Sequence, residues 1–197
     1  MKMHSFRFLL LLLVVLSAGV IAAQQPKYAD ATIRQIARTL DRLGEKDVAK
    51  RLIRDYQDGR IRFADLNRIA RETGVNAQTG QERGRNVMDL HLDVLKLGEQ
   101  ERLNTMKPYA WTSLRVTYAT TVYHEYQHMD QMNPQLSKKF EDPAHHAVEK
   151  ALARWAANLK AEWKLVSAQP PSAERTRRAA EIKDLLGVTC TVKLVEP

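Results

Sequence analysis

Residues 111–132 read "WTSLRVTYATTVYHEYQHMDQM", with no proline and no glycine. Val116, Ala119, Tyr123, Tyr126 and Met129 recur at helical spacing, which predicts one long helix with an apolar back face. Asn133-Pro134 supplies the stop. On that helix His124 and His128 stand four residues apart, one turn from each other on a single face. Two imidazoles so placed can converge on one small ion. Zinc accepts histidine nitrogen, and a catalytic zinc site keeps a position open for water. Glu125 is rotated about 100° around the axis from His124. It is therefore no ligand, but it can take a proton from a water held at the metal.

The segments around this helix predict a mostly helical α+β chain. Ile33, Ile36, Ala37, Leu40 and Leu43 mark a helix over 29–43, and Val48, Leu52, Ile53 and Tyr56 another over 46–57. Asp58-Gly59 makes a turn, and a third short helix is expected over 61–74. "DYQDGRIRFAD" at 55–65 resembles a calcium loop only loosely, because Arg54 and Tyr56 would stand where oxygen ligands are needed. Residues 75–86 are polar and read as a loop. Residues 87–94 alternate apolar and polar, a half-buried strand with His91 on its polar side. Asp142-Pro143 resembles a helix start, so a helix is expected over 143–166 with Val148, Ala151, Leu152, Trp155, Leu159 and Trp163 as its apolar stripe. Trp111 is expected in the core with the other two tryptophans. "QPPS" at 169–172 links to a last helix over 173–186, closed by Gly187, and "VTCTVKLV" at 188–195 alternates as a strand. Cys190 in that strand is expected to be a small buried hydrophobe.

The first residues belong to none of this. Lys2 and Arg7 precede an apolar stretch over 9–23 that ends in small residues, the pattern of a secretory signal peptide cleaved near Ala22 or Ala23. The stretch is shorter than a spanning helix wants, and no second one follows, so no stable membrane span is expected after signal removal. The protein is expected to be exported, periplasmic or secreted. Its single cysteine excludes an internal disulfide, so stability rests on packing and on any metal. Without Lys2 and Arg7, 29 of the 31 basic residues face 23 acidic ones, a net +6. The basic residues are scattered without aromatic interleaving, and no nucleic acid is expected as partner.

A catalytic zinc needs a third protein ligand. The continuation HExxHxxGxxH fails, since Gln131 and Pro134 occupy the last two places. A glutamate on the following helix is the other common solution. Glu149 fits, lying early in the 143–166 helix beside its apolar stripe, whereas Glu162 is too far along it. "HEYQH" followed by Glu149 resembles the gluzincin branch of the zincin metallopeptidases. The resemblance implies a zincin-like core: an active-site helix with His124, Glu125 and His128, a second ligand-bearing helix with Glu149, and a small sheet whose edge strand faces an extended substrate. It also implies one zinc ion and hydrolysis of peptide bonds in a peptide or protein substrate, through a zinc-bound water activated by Glu125. Lys150 and Ala153 depart from the small residue and the acid found there in many gluzincins, and Asp130 or Glu141 could replace the missing acid. Candidates for donor to the transition state are His145, His146 and Tyr109, with Tyr118, Tyr123 and Arg154 behind them. The expected division is a signal peptide at 1–23, an N-terminal helical region at 24–75, the metal-binding core at 76–168 and a C-terminal helix and strand at 169–197. Two other functions stay open: a non-catalytic protein stapled by zinc, and a metal-free exported binding or inhibitor module.

Overall fold

A computed structural model of the chain describes residues 26–66, 76–130 and 138–191, without the side chains of 138–142. The expected signal peptide, residues 67–74 of the expected third helix, Gln131, Pro134 and the side chain of Glu141 lie outside the described residues. The described chain is mostly helical, with one small sheet.

Two helices open it, α1 (Ala29–Arg42) and α2 (Lys46–Gln57). Both end in the same way. Gly44, at φ +95°, lets its own N–H reach the carbonyl of Asp41 while the Glu45 N–H reaches that of Leu40. Gly59, at φ +70°, repeats the pattern on Tyr56 and Asp55. Glycine enters this left-handed region without the penalty a side chain brings. The second cap aims the chain directly into β1 (Ile61–Ala64). The helix expected from residue 61 is thus corrected to a strand for its first four residues. Ile61 is fully buried opposite Met88, and Arg62 pairs with Asp89 across the ladder at 2.9 Å. Cross-strand partners of this kind, absent from any local window, decide between strand and helix.

The expected loop at 75–86 is corrected too. It holds β2 (Ala77–Glu82), which turns at Arg83-Gly84 into β3 (Arg85–His91). Both turn residues have positive φ, 49° and 76°, as a two-residue type I′ hairpin requires. The sheet order is β1-β3-β2, parallel between β1 and β3 and antiparallel between β2 and β3. The strand expected over 87–94 is therefore real up to His91. From Leu92 a 3-10 turn leads into α3 (Lys96–Leu103). His91 is buried rather than on a solvated side, and its Nδ1 caps that turn by accepting from the Asp93 N–H at 3.1 Å.

The long helix is α4 (Pro108–Asp130), and it runs through the middle of the protein. Tyr118, Ala119, Val122, Tyr126 and Met129 share a core with Ile33, Ile36, Leu40, Met88 and Leu90, so one core joins the helices before residue 75 to the sheet and α4. Val116 points the other way, into a second core between α5 (Lys138–Ser167) and α6 (Ala173–Thr189), with Val148, Trp155, Leu159, Ile182 and Leu185. Trp155 is fully buried, Trp111 packs partly buried on the first core, but Trp163 is 38% exposed, a correction to its expected core place. α5 begins before Pro143, not at Asp142. α6 continues through Gly187, where the Tyr109 ring lies 3.3 Å from the position a Cβ would take. Close approach, not capping, explains that glycine. Val188 and Thr189 are helical and Cys190 is exposed, which corrects the expected strand and buried thiol as far as residue 191. Among the described residues no helix is long and apolar enough to cross a membrane.

Candidate functional site

His124, Glu125 and His128 occupy the last two turns of α4, where it crosses the sheet on one side and α5 on the other. The Nε2 atoms of His124 and His128 are 3.0 Å apart. Two nitrogens held about 2.0–2.1 Å from one zinc in a tetrahedral set would stand roughly 3.3 Å apart, so the pair matches the span of a shared cation. It also matches one imidazole donating to the other. Burial, then the neighbouring His128 and His145 imidazoles, push His124 from 6.5 down to about 3. At neutral pH it is uncharged, the form a metal ligand must have.

Glu125 is 5% exposed and faces the sheet. The Thr79 hydroxyl on β2 donates to its Oε2 at 2.7 Å and lies 3.2 Å from its backbone carbonyl oxygen. β2 is the outer strand beside this helix, and among the described residues no strand pairs with its other edge. Thr79 was missed in the sequence. The Arg83-Gly84 turn before the alternating 87–91 stretch was the faint signal of a hairpin there.

Beneath the same turns lies a second unforeseen group. Asp55 is fully buried and accepts from Arg51 at 3.3 Å, from Arg60, and from the Tyr126 hydroxyl at 3.3 Å. Burial, then the Asp55 charge, push the Tyr126 phenol up. The Arg51 guanidinium also stacks on the Tyr126 ring at 4.3 Å and pairs with Asp130 at 2.7 Å. Asp130 thus turns to α2. A cleft of about 810 Å³ opens here, lined by Arg51, Arg60, Gln81, Arg85, Asn86 and Met129. Arg51 and Arg60 are already paired with Asp55 and Asp130, and Asp58 also lines the cleft, which offsets much of its positive charge.

The other expected residues divide. His145 on α5 comes to the pair: its ring is 5.0 Å from that of His124 at 61°, and the His128 ring is 4.7 Å from the His124 ring. Glu149 does not. Its carboxylate is 66% exposed and faces the exposed His146 at 3.8 Å. Tyr109 is half exposed at the start of α4, about 22 Å along the axis from His124. Tyr118 is buried and donates to the Asp93 carbonyl. Tyr123 packs edge-on against Trp155 at 5.7 Å, and Arg154 pairs with Glu45, as the Trp155 indole does at 2.7 Å. Glu162 is held by Arg42 at 2.8 Å. Among the described residues no three His, Cys, Asp or Glu side chains already form a metal-binding group. No family model, no curated protein and no solved structure matches the chain.

Proposed function

We propose that the protein is an exported zinc-dependent peptide hydrolase of the HExxH kind, working at His124, Glu125 and His128. The observation that carries the reading is the conjunction at the end of α4. A pair of imidazoles stands with Nε2 atoms at 3.0 Å, and the intervening glutamate is buried and hydrogen-bonded from the outer strand. Buried polar groups of this kind are costly unless they are employed or paired. Both histidines fit the metal, being close together and, for His124, held uncharged.

His124 and His128 would hold the ion. When bound, zinc supplies Lewis acidity toward a carbonyl oxygen and acidity to a water. Glu125 takes the proton from the attacking water and later delivers it to the leaving amine. Thr79 fixes the Glu125 carboxylate, so that less reorientation is needed when the proton moves. The outer edge of β2 offers backbone N–H and C=O groups to an extended peptide, a mode of binding that is tolerant of side chains. The export expectation fits this reading through residues 1–23, and extracellular or periplasmic peptide substrates follow from it.

The test uses protein purified from about residue 24. Zinc content is measured by elemental mass spectrometry, and hydrolysis with labelled casein and a quenched peptide library. Wild type is expected to bind zinc and cleave. Glu125→Gln should keep the zinc and lose about 10²–10⁴ in rate, because a base is removed and not a ligand. Zinc retained with no cleavage in wild type would favour a zinc-stapled, non-catalytic module. No zinc in wild type, after loading and removal of excess, would overturn the proposal.

A further inference from the structure

We propose that His145, not Glu149, is the third protein ligand, giving a set of three histidines drawn from α4 and α5. The inference rests on the metal reading above and names a residue that the sequence spacing assigned elsewhere. Two imidazoles pack on His124, His128 from its own helix at 4.7 Å and His145 from α5 at 5.0 Å. Three imidazoles gathered in one partly buried place are the donor type that a divalent ion of the nitrogen-preferring kind selects.

Position on α5 favours the same residue. His145 is half-buried and lies between Ala144 and Val148, both fully buried, so its backbone is fixed against α4. Glu149, one turn further along α5, is exposed and faces His146. Chemistry follows from the set. Three neutral ligands would leave the double charge of the ion uncompensated, which would favour an anionic or strongly polarised oxygen beside them.

Zinc alone and cobalt(II) as its coloured substitute are the probes. Affinities are measured by competition with a chelating dye for wild type, His145→Ala, His145→Gln and Glu149→Ala, each checked for native circular dichroism without metal. His145→Ala and His145→Gln should bind zinc at least about 100-fold more weakly and change the cobalt spectrum. Glu149→Ala should match wild type within about twofold. X-ray absorption of zinc-loaded wild type needs no variant and should count three imidazoles. Two imidazoles and a carboxylate, or a loss confined to Glu149→Ala, overturns His145 while leaving the histidine pair standing. Wild type that binds no zinc overturns both this assignment and the hydrolase reading.

Discussion

Thr79 and Glu125 meet across forty-six residues of chain, and their 2.7 Å bond joins the outer strand to the central helix at the place where chemistry is proposed. A hydrogen bond to a buried carboxylate is worth about 1.5–3 kcal/mol, because the alternative leaves charge poorly solvated. Thr79→Val keeps the shape and removes the donor. It should lower unfolding stability by about that amount in urea titrations near neutral pH, and Thr79→Ser should restore most of it. An undisturbed Thr79→Val would show that the hydroxyl does not carry the carboxylate. At this scale the histidine pair was legible in the sequence, since i,i+4 geometry is set by the helix alone. The choice between Glu149 and His145 was not. Which side of α5 meets α4 depends on the docking of Trp155 and Arg154 on Glu45, more than one hundred residues away in sequence. His91 misled for a similar reason, since alternation placed it on a polar side that α-helical packing and the 3-10 turn then covered.

Among the elements, α1 and α3 approach each other closely at Gly98. At Gly98 an added Cβ would lie 2.6 Å from the Tyr28 carbonyl oxygen and 2.9 Å from the Thr32 nitrogen, both backbone atoms that yield only if a helix moves. The Gly98 N–H donates to the Thr32 hydroxyl at 3.1 Å, which fixes the same contact. Gly98→Ala should therefore destabilise the fold by about 1–3 kcal/mol despite the better helix propensity of alanine. A melting temperature at or above that of wild type would refute the close contact. α1, α2 and α4 were readable from apolar periodicity and stand close to where it placed them, whereas α3 was not expected. β1 and β2 were not readable. Four residues carry too little period to separate strand from helix, and the Gln78, Gly80 and Gln81 of β2 look like loop until β3 supplies their partners.

Across the whole molecule, α1, α5 and α6 are bound by one charged group. Arg42 donates to Glu162 at 2.8 and 3.1 Å and to Glu181 at 3.3 Å, and Arg178 adds a second contact to Glu162. Burial opposes the charge on Glu162, but the hydrogen bonds and charges of Arg42 and then Arg178 together outweigh it and hold the carboxyl below 4.5. A carboxyl lowered in the folded state contributes stability that is present above its unfolded value and is lost as pH falls through the folded one. Glu162→Gln should thus be less stable than wild type by up to about 1 kcal/mol above pH 4.5, with the gap closing in more acid solution and narrowing in high salt. A gap independent of pH would show that packing, not charge, is what the substitution disturbs. α4 has a different consequence. Its residues alternate between two cores and the histidine pair, so the helix that would carry the ion is also the one the two cores need in order to form. Were zinc bound as proposed, occupancy and folding would be one linked equilibrium. Each tenfold rise of free zinc above its dissociation constant would add about 1.4 kcal/mol to the folded state, and a chelator would subtract it. The melting curve would then serve as a metal titration.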